Sequence, residues 1–458
     1  MSEFDVTGKH VVVVGAARSG VAAAELLVSR GARVTLTDAR SATDEAAALQ
    51  GLGVTLELGG HVSASWRSAD LIVLSPGVPL TQPDVVAAKA AGTEVIGELE
   101  LASRWLRGRI VAVTGTKGKS TTTTLIGRML DEAGIPSLVA GNIGVPLSRH
   151  VPRTSGDVIH VVEVSSFQLE TATTFHPWVA VLLNLTPDHL DRHPSFDAYV
   201  AAKARLFAHQ TEDDWVVLNA DDPRVVDAGA ASRARPRVFG LAARVDEGIT
   251  VDADAIVVRE AARAEVVMPL SDVRLIGTHS LADVLAAVTV GSIVGVPHAA
   301  MAKAVRGFEG LEHALERVAT VDGVLFVNDS KATNIAAARQ AIVSFGAGLV
   351  VVLGGRHKAG DFADLRTPLA ERGARVVAIG ESRDLVHSAL DGVVAVDDAA
   401  SMDEAVRRGY AAAAPGDTVL LSPACASFDM FRDYAERGQA FKAAVRRLAR
   451  DIGTGRTQ

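Results

Sequence analysis

The sequence predicts an α/β fold of three successive domains, each built around a largely parallel sheet. Its 458 residues are about three times the length of a typical domain. Apolar strand-like runs alternate with alanine-rich helical stretches along most of the chain, which is the pattern of parallel α/β sheets. New series of strands and helices start at Arg109 and near Gly310, and they predict domains at residues 1–108, 109–308 and 309–458.

Composition and charge narrow the class of protein. The chain is 48% hydrophobic and 22% charged, which is ordinary for a globular enzyme. Its net charge of −8 and its scattered basic residues offer no surface for nucleic acid. The single cysteine, Cys425, excludes an intrachain disulfide and fits a reducing compartment. No apolar run reaches the roughly 20 residues of a membrane span, so we expect a cytoplasmic protein without membrane insertion.

The first domain opens with a strand at residues 10–14, a glycine-bounded turn at 15–20 and a helix. The turn is similar to the dinucleotide-binding fingerprint but lacks its middle glycine. In that fingerprint the middle glycine allows a diphosphate to approach the backbone closely. Asp38 ends the second strand, and Ser75-Pro-Gly77 follows a strand at 70–74. These features favour a nucleotide-like ligand other than NAD. The alternative is that the glycines only allow close helix–strand packing.

The second domain begins with the strongest local signal in the chain. A strand at residues 110–114 runs into Gly115-Thr-Lys-Gly-Lys-Ser-Thr121 and then a helix. Glycines let backbone N–H groups turn toward phosphate oxygens, and the helix terminus adds partial positive charge. Lys119 can reach the phosphates of a nucleoside triphosphate, and Ser120 can bind Mg²⁺. Because the glycine spacing is shorter than in the Walker pattern, an ordinary glycine turn is the alternative.

Two further strands of this domain end in polar residues. Glu163 follows the strand at 158–162, and His189 lies in the segment that follows the strand at 179–183. Parallel sheets collect ligands at the carboxyl ends of their strands, where a carboxylate and an imidazole could hold magnesium. Taken singly, each residue is more typical of a surface position. The rest of the domain is predicted as a strand at 215–219, a β-rich stretch at 236–276 and helices at 280–294 and 298–307.

The third domain carries two polar segments at predicted strand ends. They are Asn328-Asp-Ser-Lys-Ala-Thr-Asn334 and Ser422-Pro-Ala-Cys-Ala-Ser-Phe-Asp-Met-Phe431. A lysine and several hydroxyl groups suit an anionic substrate such as an amino-acid carboxylate. The alternative is a helix cap formed by Ser330 or Thr333, and Cys425 is expected to be a buried packing residue. The strands of this domain are predicted at residues 323–328, 348–353, 374–380, 391–396 and 417–422.

Together these segments resemble the Mur ligase family across essentially the whole chain. The matching motifs are Gly-Thr-x-Gly-Lys-Ser at 115–120, Gly-Asn-Ile-Gly at 141–144, Glu163, Asp188-His189, and the two third-domain segments followed by Arg437-Gly438. The resemblance implies a Rossmann-like amino-terminal domain, a central P-loop ATPase-type domain and a Rossmann-like carboxy-terminal domain. The third-domain segments are most similar to members that add D-glutamate to UDP-N-acetylmuramoyl-L-alanine.

The resemblance also implies a reaction. ATP phosphorylates the substrate carboxylate, and the amine of the amino acid attacks the acyl phosphate to form an amide, in a cytoplasmic step of peptidoglycan precursor synthesis. The expected partners are three small-molecule substrates, and the chain is expected to be a monomer. Alternatives within the class are L-glutamate or the amino acid of another Mur ligase as substrate, or folylpolyglutamate synthesis. Alternatives outside it are an NAD-dependent dehydrogenase and a non-catalytic nucleotide-binding regulator.

The resemblance assigns roles to individual residues. The catalytic residues are Lys119, Glu163, His189 and Lys203, and two Mg²⁺ ions are held by Ser120, Glu163, His189 and a carbamylated Lys203. The ATP-binding residues are Gly115, Thr116, Lys117, Gly118, Lys119, Ser120, Thr121, Asp329 and Lys331. The UDP-substrate residues are Arg18, Ser19, Asp38, Arg40, Ser75, Gly77, Asn142, Ser165 and Gln168. The amino-acid residues are Lys331, Thr333, Lys358, Ser427, Phe428 and Tyr434.

Three positions depart from the family pattern. Ser280 stands where an asparagine is usual, Ala314 where an arginine is usual, and Arg356 where an acidic residue is common. All three lie on the ATP side by resemblance. Arg317 would be one helical turn from Ala314 if that segment were helical, so either Arg317 or Arg356 is a candidate replacement for the missing cation.

Overall fold

The chain folds around three sheets, and the computed structural model describes residues 4–43, 49, 51–243, 245–260, 263–358 and 360–455. It divides into two compact units. The first comprises Met1–Val273 with Ala282–Arg306, and the second comprises Arg274–Leu281 with Gly307–Gln458. The first unit contains two of the sheets and the second unit contains the third.

The first sheet is parallel, with strand order β3-β2-β1-β4-β5. Its apolar central strands β1 and β4 are buried on both faces, as expected for a sheet covered by helices. The order reverses between β1 and β4, which creates a switch point at their carboxyl ends. The elements are β1 His10–Val14, α1 Arg18–Ser29, β2 Arg33–Asp38, β3 Thr55–Leu58, α2 Ser63–Arg67, β4 Leu71–Leu74, α3 Pro83–Ala90, β5 Glu94–Gly97 and α4 Glu98–Ser103.

The second sheet has nine strands in the order β14-β13-β12-β11-β10-β9-β6-β8-β7. Strands β6 to β12 are parallel, and β12 to β14 form an antiparallel meander, which confirms the predicted β-rich stretch. The strands are β6 Arg109–Thr114, β7 Ser137–Gly141, β8 Ile159–Glu163, β9 Val179–Leu182, β10 Trp215–Asn219, β11 Arg235–Gly240, β12 Gly248–Asp252, β13 Ala255–Glu260 and β14 Arg263–Pro269. The helices are α5 Lys119–Glu132, α6 Ser166–Glu170, α7 Phe196–Ala204, α8 Pro223–Gly229, α9 Thr278–Val294 and α10 His298–Arg306.

The third sheet has the order β15-β16-β20-β17-β18-β19 and is parallel except for the β15–β16 hairpin. The elements are β15 Glu316–Val321, β16 Val324–Asn328, α11 Ile335–Val343, β17 Leu349–Gly354, α12 Arg366–Ala370, β18 Arg375–Ile379, α13 Arg383–Leu390, β19 Val396–Ala399, α14 Met402–Ala412, β20 Thr418–Leu421 and α15 Tyr434–Gly455. Short 3-10 helices lie at Leu147–Arg153, Arg205–Phe207, Leu270–Asp272 and Phe362–Leu365.

The predicted strand at 391–396 was wrong, because residues 391–393 form a turn at Gly392 (φ 68°) and β19 begins at Val396. Four strands were not predicted at all: β3, β5, β7 and β15. Within the part of the chain that is described, no helix is long and apolar enough to cross a membrane.

Candidate functional site

The glycine loop lies between β6 and α5, which confirms its predicted strand–loop–helix setting. Gly118 has φ 84°, and a Cβ there would lie 1.9 Å from Asp283 Oδ1, so the loop requires glycine at this position. Helix α5 begins at Lys119 with no side-chain cap and no acidic residue in its first turn. Its first N–H groups are therefore suited to an anion. Lys119 Nζ donates to Gly115 O at 3.0 Å and to Thr116 O at 2.9 Å.

A hydroxyl and a buried carboxylate meet beside this loop. Glu163 ends β8, the neighbour of β6, and is 1% exposed. Its Oε2 accepts from Ser120 Oγ at 2.7 Å, and its Oε1 accepts from Asn142 Nδ2 at 2.7 Å. Oxygen ligands of this kind suit Mg²⁺. Among the described residues no three His, Cys, Asp or Glu side chains form a metal-binding group, so an ion here would also need water or phosphate oxygens.

Lys203, on α7, points its amine at the same loop. It is 2% exposed, and its Nζ donates to Gly115 O at 2.8 Å and lies 4.7 Å from the Tyr199 ring centroid. Burial, followed by the nearby charge of Lys119, lowers the pKa of Lys203 to about 6. The amine is therefore largely unprotonated at neutral pH.

His189 lies in the loop after β9 with a left-handed backbone (φ 54°). Its ring is 4.9 Å from the Phe167 ring in a T-shaped arrangement and 6.5 Å from that of Tyr199, which also lies beneath Lys203. Its neighbour Asp188 accepts from the His189 backbone N–H at 3.0 Å. The Asp188 carboxylate also lies 3.6 Å from Lys117 Nζ. The loop after β9 thus brings a carboxylate to the phosphate loop and an imidazole near Tyr199, whose hydroxyl contacts Thr116 of that loop.

Several residues of this site were missed from the sequence. Asn184 Oδ1 accepts from Lys117 N at 2.8 Å, and Tyr199 OH donates to Thr116 Oγ1 at 3.1 Å. Asp283, on α9, is buried against Gly118, and burial raises its pKa to about 8. Asn184 had a signal, since it directly follows an apolar strand. Asp283 had none, because only the tertiary fold places α9 under the loop.

The predicted UDP-substrate residues of the first sheet gather at its switch point. Ser75 Oγ donates to Gly15 O at 3.1 Å, and a Cβ on Gly15 would lie 2.7 Å from that hydroxyl. The Asp38 carboxylate accepts from Ala16 N at 2.7 Å and from Arg40 Nε and Nη2 at 3.0 and 2.9 Å. The Arg40 hydrogen bond holds the pKa of Asp38 well below its usual range. Asp38 therefore stabilises the turn after β1 in addition to any ligand contact.

The remaining predicted substrate residues border the same region. Ser165 caps α6, with Gln168 Oε1 accepting from Ser165 N at 2.9 Å and Ser165 Oγ accepting from Gln168 N at 3.2 Å. Ser75, Phe167 and Gln168 line one cleft. Arg18, in the first sheet's domain, donates to Gly144 O in the loop after β7, and Ser19 lies half-buried in the first turn of α1. Thr121, which was predicted to bind ATP, lies half-buried in the first turn of α5.

In the second unit, the predicted residues follow β16. Asp329 is buried and accepts from Ser422 Oγ at 3.0 Å and from Leu315 N at 3.2 Å. Burial raises its pKa to about 7. Lys331 is exposed and Thr333 half-buried. The alternative of a cap by Ser330 or Thr333 was wrong, because Asn334 caps α11 by accepting from Ala337 N at 2.8 Å.

The segment after β20 presents an aromatic surface beside a lysine. Ser427 is buried, whereas Phe428 is 59% exposed and Tyr434 is 41% exposed. Lys358 Nζ lies 6.0 Å from the Phe428 ring centroid. Buried Arg437 donates to Cys425 O at 3.0 Å and to Ser330 O at 2.9 Å, so it ties together the segments after β16 and β20. Cys425 is fully buried, as predicted.

The departures from the family pattern have local partners. Arg356 forms a two-pronged contact with Glu381 at 2.9 and 3.1 Å, and Ser280 Oγ donates to Ile276 O at 2.8 Å. Arg317 lies on strand β15, so the helical spacing considered for it from Ala314 was wrong. Positive φ angles at His313 (65°) and Leu315 (46°) turn the chain into that strand.

Three family descriptions match consecutive parts of the chain. They are the Mur ligase MurD-like N-terminal domain at residues 9–97, the Mur ligase middle domain at 113–291 and the Mur ligase glutamate ligase domain at 315–425. Solved structures with the same fold include UDP-N-acetylmuramate-alanine ligase MurC from Thermotoga maritima (TM-score 0.60, 18% identity, 96% of this chain and 100% of that one). Another is MurF ligase from Thermotoga maritima in complex with ADP (TM-score 0.60, 16% identity, 98% and 97%).

Sequence relatives are much closer. The UDP-N-acetylmuramoylalanine--D-glutamate ligase of Acidobacterium capsulatum is 47% identical over 96% of this chain and 97% of its own length. The protein of the same name from Pelotomaculum thermopropionicum is 46% identical over 96% and 98%. With all three domains matched and these identities over nearly the full length, the chain belongs to the Mur ligase family of ATP-dependent amide-bond-forming ligases.

Proposed function

We propose that this chain joins D-glutamate to UDP-N-acetylmuramoyl-L-alanine with consumption of ATP, in the cytoplasm and as a monomer. The observation that carries the chemistry is the 2.7 Å contact between the phosphate-loop hydroxyl of Ser120 and the buried carboxylate of Glu163. The choice of substrates is supported by the relatives of that name, which match the chain over nearly its full length.

The phosphate loop is the proposed site of the ATP phosphates. Gly115 to Thr121 would direct backbone N–H groups at the phosphates, and the Lys119 ammonium, now held on two loop carbonyls, would turn to the transferring phosphoryl group. We assign Asp329 and Lys331 to the same nucleotide on the grounds of resemblance. The γ-phosphoryl group moves to the carboxylate of the UDP-linked substrate, forming an acyl phosphate and ADP.

The donor set around the loop fits magnesium. Ser120 and Glu163 would hold one ion, and His189 with a modified Lys203 would hold a second. The oxygens of Ser120 and Glu163 already meet at 2.7 Å on a buried strand end, which is the chemistry that Mg²⁺ prefers. When bound, the ions offset negative charge on the transferring phosphoryl group.

Lys203 fits carbamylation for a chemical reason. A lysine ammonium beside Mg²⁺ would repel it, but the buried amine of Lys203, whose pKa is lowered to about 6, is nucleophilic. Its lone pair attacks CO₂, forming an N–C bond and releasing one proton, and the product is a carbamate anion. The modification therefore converts a cation into an oxygen ligand.

The second unit would supply the amino-acid site. Lys331 and Lys358 offer ammonium groups for the two carboxylates of glutamate, while Thr333 and Ser427 add hydroxyl groups. Phe428 and Tyr434 present partly exposed rings beside them. The free amine of glutamate attacks the acyl carbon, the tetrahedral intermediate expels phosphate, and the amide remains.

Phosphate release tests this function. The purified protein is incubated with ATP, Mg²⁺ and UDP-N-acetylmuramoyl-L-alanine, together with D-glutamate, L-glutamate or meso-diaminopimelate. Release should require D-glutamate and the UDP-linked substrate together. Faster release with either other amino acid would contradict the assignment of the substrate, and no release with any of them would contradict ligase activity.

A further inference from the structure

Arg192 connects two loops that belong to different sheets of the first unit. It lies half-buried between β9 and α7. Its guanidinium carbon is 4.6 Å from the ring centroid of Phe167 on α6, and its Nη1 donates to Gly77 O at 3.3 Å. Gly77 follows β4 of the first sheet. The side chain thus reaches from the second sheet to the carboxyl edge of the first.

The backbone that carries Arg192 is held in place by its neighbour. His193 is 2% exposed, its Nε2 is 3.0 Å from Ser166 Oγ, and its ring stacks on Phe167 at 5.4 Å. The Arg192 and His193 N–H groups both donate to His189 O, at 3.0 and 2.9 Å. The backbone at Arg192 is therefore held in one conformation. A ligand that binds the guanidinium would cost the side chain little conformational entropy.

The edge that Arg192 reaches is the switch point between β1 and β4. Open α/β sheets bind ligands in the crevice at such a point. Helix α1 starts there without a side-chain cap and without an acidic residue in its first turn, so its first N–H groups are suited to an anion. Phe167, the ring under Arg192, lines the cleft that also contains Ser75 and Gln168.

Most N–H groups of the Arg192 guanidinium are available to bind a ligand. Across the described ranges of the chain, no carboxylate forms an ion pair with it, and Gly77 O is its hydrogen-bond acceptor. Arg18, at the start of α1, instead donates to Gly144 O. A planar guanidinium with free N–H groups recognises phosphate through paired hydrogen bonds.

We propose that Arg192 binds the diphosphate of the UDP-linked substrate, opposite the amino terminus of α1. This inference rests on the proposed function, because that function supplies the diphosphate. Arg192 would add a positive charge to the diphosphate site from the loop between β9 and α7. The same loop carries His189, which is proposed to act in phosphoryl transfer, so one segment would contribute to both sites.

Calorimetry with UDP and steady-state kinetics test the proposal on Arg192→Ala, Arg192→Lys and a control, Arg224→Ala. Arg224 similarly stacks on an aromatic ring, with its guanidinium carbon 4.7 Å from the Phe196 centroid, and it is exposed. Arg192→Ala should weaken UDP binding and raise the KM for the UDP-linked substrate by about tenfold to a hundredfold, the worth of charge-assisted hydrogen bonds. The KM for ATP and for D-glutamate, and kcat, should stay within about twofold of the wild type.

Arg192→Lys should recover part of the lost UDP affinity, because lysine keeps the positive charge but lacks the paired N–H groups of a guanidinium. Arg224→Ala should match the wild type. The inference is overturned if UDP binds Arg192→Ala as tightly as the wild type, or if kcat falls while the KM for the UDP-linked substrate is unchanged. A general loss of thermal stability in both Arg192 variants, with every KM raised alike, also overturns it. If the wild type binds no UDP at all, the proposed function fails together with this inference.

Discussion

At the scale of single residues, the chemistry of Lys203 depends on its burial. Its amine is inside the protein beside Gly115 O, and the proposed carbamate would bind magnesium. Lys203→Ala should lower kcat by more than about a hundredfold. Loss of a residue that only hydrogen-bonds a metal ligand already lowers metal affinity or activity by about 10–100-fold, and the carbamate would be a ligand itself. Added acetate should restore part of the activity by supplying the missing carboxylate.

Lys303→Ala is the matched control for this experiment, because Lys303 is 71% exposed and pairs with Glu132 on the surface. It should retain full activity. Normal phosphate release by Lys203→Ala would show that this amine only packs against the loop.

Asp283 is a second buried ionisable group, and it should make stability depend on pH. Burial raises its pKa from 3.8 to about 8, so the folded protein holds a proton that the unfolded chain has released between these values. The stability contributed by this group is complete below about pH 4 and is lost as the pH rises toward 8. Each pH unit in that window changes the free energy of unfolding by up to about 1.4 kcal/mol.

Asp283→Asn removes this ionisation while preserving the shape of the side chain. In urea unfolding from pH 5 to 8, the variant should gain stability relative to the wild type as the pH rises. Asp131→Asn, an exposed substitution on α5, should show a constant difference. A constant difference for Asp283→Asn as well would mean that the carboxyl group is not desolvated.

Residue roles were predictable from the sequence only where a local pattern carried them. The glycine loop and Glu163 follow apolar strands, and their meeting at 2.7 Å follows from the rule that parallel strand ends share an edge. Asp283 and Arg192 had no such signal. Their importance arises from contacts with Gly118 and Gly77, which are distant in sequence and are created by the fold.

At the scale of elements, α4 is joined to the loop after α6 by one carboxylate. Glu100 is fully buried, and its Oε2 accepts from the backbone N–H groups of Thr173, Thr174 and Phe175 at 2.9 to 3.0 Å. Its Oε1 accepts from Arg104 Nε at 2.9 Å and from the Thr174 hydroxyl. Both carboxylate oxygens act as hydrogen-bond acceptors. A glutamine at this position would therefore direct its NH₂ group at N–H or O–H donors and leave them without an acceptor.

Glu100→Gln should therefore lower the free energy of unfolding by several kcal/mol, since each stranded buried donor costs about 1–3 kcal/mol. Glu94→Gln is the control: Glu94 pairs with the same Arg104 but is 48% exposed, and its loss should cost less than about 1 kcal/mol. Urea unfolding measures both. Equal small effects would show that α4 is held by apolar packing rather than by this carboxylate.

Buried strands were easier to predict from the sequence than partly exposed ones. Central strands such as β1, β6 and β17 are continuous apolar runs and were predicted from the sequence. Strands β3 and β15 are partly exposed and contain polar residues, so neither forms a continuous apolar run, and both were missed. At residues 391–396 an apolar run after Gly392 is typical of a strand, but the chain turns at 391–393 and the strand begins only at Val396.

At the scale of the whole molecule, the order of the domains was predictable because the first two each start with a buried strand and a glycine turn, and a new series of apolar strands follows the helices of the second. The resemblance added the chemistry that links them: an acid activated by ATP and an amine that attacks it. The family and its fold are confirmed by matches to all three domains. We propose that the reaction follows one course, through an acyl phosphate on the UDP-linked substrate.

Oxygen transfer tests that course most directly. UDP-N-acetylmuramoyl-L-alanine labelled with ¹⁸O in its free carboxylate is incubated with the protein, ATP, Mg²⁺ and D-glutamate, and the phosphate is analysed by mass spectrometry. An acyl phosphate keeps one carboxylate oxygen on phosphorus when the amine attacks carbon, so each product formed should release one phosphate that carries ¹⁸O. Unlabelled phosphate, or the label in AMP, would contradict phosphoryl transfer to the carboxylate.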